Sequence, residues 1–120
     1  MKKLKKVRLS TPTVNQLEIT EIKKVFKNSW LGLGPTTAKF EKTWSRYFGS
    51  KYSIAVNSCT AALHISLAVN NFKKNKKVLV PAITMSASAA SALYCNLKPV
   101  FVDIDPKTLV ISFDDLKKKY

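Results

Sequence analysis

Seven consecutive residues, Asn57-Ser58-Cys59-Thr60-Ala61-Ala62-Leu63, bring small and hydroxylic side chains together where an apolar run gives way to helical spacing. The first amides of a helix have no intrahelical acceptor, and the helix dipole adds partial positive charge. Such a turn can therefore hold an anion, with Ser58 and Thr60 adding hydroxyl donors. A phosphate suits it. Plain N-capping, in which a Ser or Thr oxygen takes an amide of its own helix, uses the same residues, and at this level both readings stand. No G-x-G-x-x-G and no G-K-[ST] occurs, which excludes the dinucleotide fingerprint and the P-loop.

Two further segments carry candidate chemistry. Pro81-Ala82-Ile83-Thr84-Met85-Ser86-Ala87-Ser88 places hydroxyls after an apolar run, and Met85 there could cover a flat ligand with a polarisable thioether or simply fill a core. Asp103 and Asp105 flank Ile104, and Pro106 follows. Paired carboxylates can move protons or hold a cation, but Asp next to Pro more commonly builds a turn. His64 is the single histidine, and Cys59 and Cys95 are widely separated with no C-x-x-C. That spacing predicts no metal site.

The order of elements has to position these segments. Asn15 and Glu18 have capping-box spacing, and Leu17, Ile19, Ile22, Val25 and Phe26 then share one side of a helix running to about Asn28. Trp30-Leu31-Gly32-Leu33-Gly34-Pro35 breaks it. Helix resumes near Thr37, with Phe40, Trp44, Tyr47 and Phe48 at helical spacing and Gly49 as its stop. From there short apolar runs alternate with helices: strand 52–56, helix 61–70, strand 78–80, helix 86–94 and strand 100–104. Phe113-Asp114-Asp115-Leu116-Lys117 opens a last helix with a capping aspartate. A β-α-β-α-β order predicts parallel strands in a layered α/β fold, with ligands outside the carboxyl ends of the strands.

At 120 residues the chain has room for one core. Its 46% hydrophobic and 23% charged residues are the balance of a folded protein and not of a disordered tail. A net charge of +14 raises the question of a polyanion partner. However, 12 of the 21 basic residues sit in three clusters: Lys2, Lys3, Lys5, Lys6 and Arg8; Lys73, Lys74, Lys76 and Lys77; and Lys117 to Lys119. Only two are Arg, the residue favoured for base edges and planar phosphate contacts. A solvated surface is the preferred reading and nucleic acid the lesser one. The basic start has no continuous apolar stretch behind it, and no run approaches the roughly 18 apolar residues of a membrane span. A cytoplasmic location is expected.

Four motifs in order, spread over essentially the whole chain, resemble the DegT/DnrJ/StrS family of pyridoxal-phosphate-dependent sugar aminotransferases. They are Gly34-Pro35 with Phe40-Glu41; Ala55-Val56-Asn57-Ser58-Cys59-Thr60-Ala61-Ala62-Leu63-His64; Val78-Leu79-Val80-Pro81-Ala82-Ile83-Thr84; and Lys98-Pro99-Val100-Phe101-Val102-Asp103-Ile104-Asp105. The resemblance implies a partial fold-type-I large domain, three-layer α/β/α with a mainly parallel sheet. Residues 1–50 would form an amino-terminal helical segment and 51–120 the first part of the cofactor-binding α/β domain. It also implies that Ser58, Cys59, Thr60 and Ala61 hold the phosphate of pyridoxal 5'-phosphate, chiefly through the Thr60 and Ala61 amides. Met85 stands where the family carries an aromatic ring over the pyridine, Cys59 where it usually has glycine, and Ala90 where it often has asparagine.

The family's Schiff-base lysine and pyridinium-pairing aspartate belong beyond Tyr120, so a truncated chain, inactive alone, is expected. The remainder of the domain and the small carboxyl-terminal domain would likewise be absent. In intact relatives the substrates would be glutamate and a nucleotide-linked keto sugar, for polysaccharide or lipopolysaccharide synthesis. A homodimer is expected, with a complementing carboxyl-terminal half as a further partner. Similar proteins dehydrate sugars instead. A non-catalytic relic and a basic nucleic-acid binder are the alternatives of other classes.

Overall fold

A computed structural model of the chain describes residues 10–119, arranged as two compact units that divide between Ala55 and Val56. The basic cluster from Lys2 to Arg8 lies outside the described residues, as does Tyr120.

The first unit is helical. Helix α1 spans Gln16–Lys27 and starts in the expected capping box. Asn15 Oδ1 accepts from the Leu17 amide at 2.7 Å, and Glu18 Oε2 accepts from the Asn15 amide at 2.6 Å. Helix α2 spans Pro35–Phe48, two residues earlier than the spacing suggested, because Pro35 serves as its first residue and needs no N–H there. Gly49 ends it at φ 67°, a left-handed conformation that glycine adopts without strain. Phe40, Trp44 and Phe48 form a ladder along α2, with successive ring centroids 5.7 and 4.6 Å apart. Neither helix buries a residue fully, so the apolar stripes that define them remain exposed.

The expected strand 52–56 is not formed. Extended backbone becomes a strand only when a ladder uses its amides and carbonyls, and no described strand pairs with this segment. The Ala55 amide donates to Glu41 Oε1 at 2.8 Å, and the Ser53 hydroxyl accepts from Ser45 Oγ at 2.8 Å. Among the described residues the sheet has two strands, and the expected five-element alternation reduces to one β-α-β unit.

That unit forms the core of the second body. Strand β1 (Lys77–Pro81) and strand β2 (Lys98–Val102) pair in parallel, with Leu79 opposite Val100 and Pro81 opposite Val102. Asn75 and Asn96 enter these strands at φ 64° and 55°, where asparagine is tolerated. The Asn75 amide donates to the Asn96 carbonyl at 2.9 Å and so sets the register.

Helix α4 (Ser86–Tyr94) crosses between the strands and lies on them. Its small residues allow the close approach: Ser91 and Ala92 are buried against a core of Val80, Leu97 and Val102, and Ala92 and Val102 are fully sequestered. Helix α3 (Cys59–Ala68) packs on α4. Leu79 and Phe101, which the register puts on opposite faces of the sheet, are 40% and 52% exposed, so neither face is fully covered. The observed architecture is a partial α/β fold on a parallel sheet.

The third strand ends two residues earlier than expected, at Val102, and Ile104 makes an isolated antiparallel bridge to Ile111. Helix α5 (Phe113–Lys119) is capped by Ser112, whose Oγ accepts from the Asp115 amide at 3.2 Å, and not by an aspartate. Asp115 instead turns back to the strand end, accepting from the Asp103 amide and from Lys119, each at 2.7 Å.

Candidate cofactor-phosphate site

Helix α3 starts at Cys59 because Ser58, extended at φ −159°, supplies the cap: its Oγ accepts from the Ala61 amide at 3.2 Å. The capping reading of Ser58 is therefore realised. It leaves the Cys59 and Thr60 amides of the first turn without an acceptor, and their N–H groups point out of the helix start with the positive end of its dipole. Ser58 and Cys59 are exposed and Thr60 and Ala61 half-buried, so an anion can reach the turn. Cys59 is helical, with no positive φ. The cysteine side chain at this position thus costs no backbone strain.

Met85 immediately precedes α4, with extended backbone at φ −68° and ψ 140° and its side chain 77% exposed. Beside it Thr84 Oγ1 and Ser88 Oγ lie 3.1 Å apart. His64, in the second half of α3, meets Tyr94 at the far end of α4 with ring centroids 5.4 Å apart, and Cys95 Sγ donates to the His64 carbonyl at 3.7 Å. The second half of α3 thus packs on the carboxyl-terminal end of α4. The turn at Met85 follows Pro81 and so lies at the edge where β1 ends. Ligands of parallel sheets bind at that edge.

Asp103 and Asp105 do not form a catalytic pair. Asp105 Oδ1 accepts from the Lys107 and Thr108 amides at 2.7 and 3.0 Å, and Asp103 Oδ1 accepts from the Ile104 amide at 2.8 Å. The amides of Thr108 and Lys107 hold the Asp105 carboxyl below the usual range. The turn reading holds for both. His64 packs edge-on against Tyr94 as a structural ring. Among the described residues no His, Cys, Asp and Glu cluster could hold a metal. No described helix is long and apolar enough to cross a membrane.

The family model for the DegT/DnrJ/EryC1/StrS aminotransferases matches residues 12–119. The chain belongs to this family. Among curated relatives of this DegT/DnrJ/EryC1/StrS member, the spore coat polysaccharide biosynthesis protein SpsC of Bacillus subtilis is 36% identical over 85% of the chain and 26% of SpsC. The GDP-perosamine synthase of Caulobacter vibrioides is 34% identical over 90% of the chain and 29% of the synthase.

Among solved structures, Spr1654 of Streptococcus pneumoniae, titled a sugar aminotransferase and seen in PMP and PLP forms, superposes with a TM-score of 0.83. It is 32% identical, over 95% of the chain and 29% of Spr1654. The E. coli GDP-4-keto-6-deoxy-D-mannose-3-dehydratase with bound hydrated PLP superposes at 0.81 with 30% identity, over 93% of the chain and 30% of the dehydratase. The chain spans less than a third of the length of these relatives.

Pyridoxal phosphate is the family's cofactor. The residues of the α3 start fit its phosphate: two unpartnered amides, the Ser58 and Thr60 hydroxyls and an exposed approach. Met85 presents an exposed thioether just before α4, a softer surface than an aromatic side chain.

Two structural ties carried no signal in the sequence. Lys119 donates to the Phe101 carbonyl at 3.0 Å and to Asp115, and so ties α5 to β2. The Glu41 bond to Ala55 spans 14 residues and leaves no local spacing signal. Only the Phe40-Glu41 motif marks that carboxylate in the sequence.

Proposed function

We propose that this chain forms the phosphate-and-ring half of a pyridoxal-phosphate site, in a protein that transfers an amino group from glutamate to a nucleotide-linked keto sugar. The observation that carries the reading is the start of α3, where the Cys59 and Thr60 amides stand unpartnered beside the Ser58 cap. The names of the relatives, which specify nucleotide-sugar and polysaccharide chemistry, support the choice of substrate class.

In this reading the Cys59 and Thr60 amides and the Thr60 hydroxyl hold the phosphate, and Met85 covers one face of the ring. The cofactor, when bound, supplies an electron sink for moving the amino group. The role of these residues is to fix its position, since a phosphate anchored on a helix start sets where the ring can lie. The Schiff-base lysine and the aspartate against the pyridinium nitrogen come from segments outside these 120 residues, in the same polypeptide or in a complementing carboxyl-terminal one. A homodimer completes the assembly. A relative named dTDP-4-dehydro-2,3,6-trideoxy-D-glucose 4-aminotransferase supports aminotransfer; dehydration, the reaction named for a similar solved structure, is the other reading.

The test uses pyridoxamine 5'-phosphate, because an aldehyde would label many of the 19 lysines indiscriminately. Pyridoxamine without the phosphate is the control. The phosphorylated form should bind the chain about tenfold tighter or better, the scale of a charge-assisted anion contact. Thr60→Val should remove several-fold of that preference. Equal binding of the two amines would overturn the reading.

A further inference from the structure

We propose that the cleft between the end of α1 and the start of α2 binds the nucleoside diphosphate portion of the substrate, with Trp30 as the ring platform; the substrate class rests on the reading above. Trp30 is 58% exposed, yet its ring is held in place. Its Nε1 donates to the Leu33 carbonyl at 2.8 Å, and the indole lies so close over Gly34 that a Cβ there would overlap it. Gly34 thus lies directly against the indole. The exposed ring lines a cleft of about 490 Å³, within the size range of small-ligand sites.

The polar groups around this ring match a nucleotide. Asn28, Thr36 and Thr37 line the cleft, and their side chains make no hydrogen bond to other described residues. Thr37 is half-buried. The cleft continues along α1 and α2 past Asn28 and Thr36 to Lys39, a cation in no ion pair among the described residues. Glu21, the acidic residue of that extension, is taken up by Lys24 at 2.5 Å.

A fixed flat indole favours a planar base by stacking. Two threonine hydroxyls and a lysine suit a diphosphate. A bare sugar is the poorer match, since its hydroxyls seek carboxylate acceptors and the first part of the cleft has none. Gly34 keeps the floor open for the indole and admits no larger residue without moving it.

The experiment titrates the 120-residue chain with guanosine diphosphate in a Trp44→Phe background, so that Trp30 is the only tryptophan reporting. Equilibrium dialysis gives a second readout. Saturable quenching is expected. Trp30→Phe should keep affinity within about threefold, and Trp30→Ala should lower it roughly tenfold or more, the scale of stacking on one aromatic ring. Thr37→Val and Lys39→Gln should each weaken binding several-fold, and these two variants carry the test if Trp30→Ala does not fold.

No saturation by about 10 mM ligand, equal affinity of Trp30→Ala and Trp30→Phe, or mannose binding as tightly as guanosine diphosphate would each overturn the proposal. Nucleotide binding alongside failure of pyridoxamine 5'-phosphate to bind keeps the cleft and removes the cofactor reading. The reverse pattern removes the cleft alone.

Discussion

Glu41 on α2 reaches Ala55 with its carboxylate 2.8 Å from the backbone amide, and so satisfies with a side chain a donor that a neighbouring strand would otherwise take. Residues 50–55 are thereby held to the helix that precedes them, with Ser45 and Ser53 adding a hydroxyl contact at 2.8 Å. Glu41→Ala should free the Ala55 amide and destabilise the first unit by about 1 kcal/mol, the usual net worth of such a bond. Hydrogen exchange at Ala55 checks it: an unchanged exchange rate in the variant would show that the contact contributes nothing.

The helical conformation of Cys59 leads to an expectation about anion binding. Glycine at this position would gain no conformational relief, because φ is already negative. Cys59→Gly should change pyridoxamine 5'-phosphate affinity by less than about threefold while lowering stability by up to ~1 kcal/mol, as glycine does in a helix. A large gain in affinity would mean that the cysteine side chain crowds the phosphate.

Ser58→Ala separates capping from anion binding. Loss of the cap should cost about 1 kcal/mol. The Ala61 amide, released from Ser58 Oγ, becomes a third donor for the phosphate. Thermal unfolding should therefore fall in the free chain and recover partly with saturating inorganic phosphate, more than the unsubstituted chain gains. Equal gains in the two proteins would count against a shared amide.

The turn after β2 predicts acid sensitivity. Backbone amides of Thr108 and Lys107 lower the Asp105 pKa, while the Asp103 amide and Lys119 lower that of Asp115. A depressed folded-state pKa means the unfolded chain binds protons first. The contribution is full above the unfolded value near 3.9 and is lost as pH falls through the lower folded values. Urea midpoints followed from pH 6 to pH 2 should drop in this window. Asp105→Asn with Asp115→Asn should flatten the drop, and a curve that keeps its full acid limb would reject the assignment.

Gly34→Ala tests the ring platform without touching the indole. A Cβ at Gly34 would meet the Trp30 ring, and the bond to the Leu33 carbonyl would break as the ring swings out. Tryptophan emission in the Trp44→Phe background should shift to the red, with affinity for guanosine diphosphate reduced several-fold. Emission that stays in place would show that the ring is not seated on Gly34.

Several elements could be read from residues alone because their causes are local. The capping box of Asn15 and Glu18, the proline start and glycine stop of α2, and the small-residue helix after Pro81 each depend on neighbours a few residues away. The anion-friendly turn at Ser58 was legible for the same reason: a cap and the unpaired amides behind it belong to one turn of helix. Periodicity also marked apolar stripes on α1 and α2, but it carries no information on whether a stripe is covered, and here both are exposed.

What tertiary structure decided depends on partners distant in sequence. Residues 52–56 have the composition of a strand, yet pairing is a property of two segments, and Glu41 and Ser45 meet this one first. The roles of Asp103, Asp105 and Asp115 were likewise undetermined until the fold brought the Asp103 amide to Asp115 across 12 residues. The residue order specified a helix start able to hold a phosphate. Only the packing of α3 on α4 brought the His64 carbonyl to Cys95 across 31 residues, because spatial neighbourhood between helices is set by the side chains they bury against each other and by no spacing along the chain.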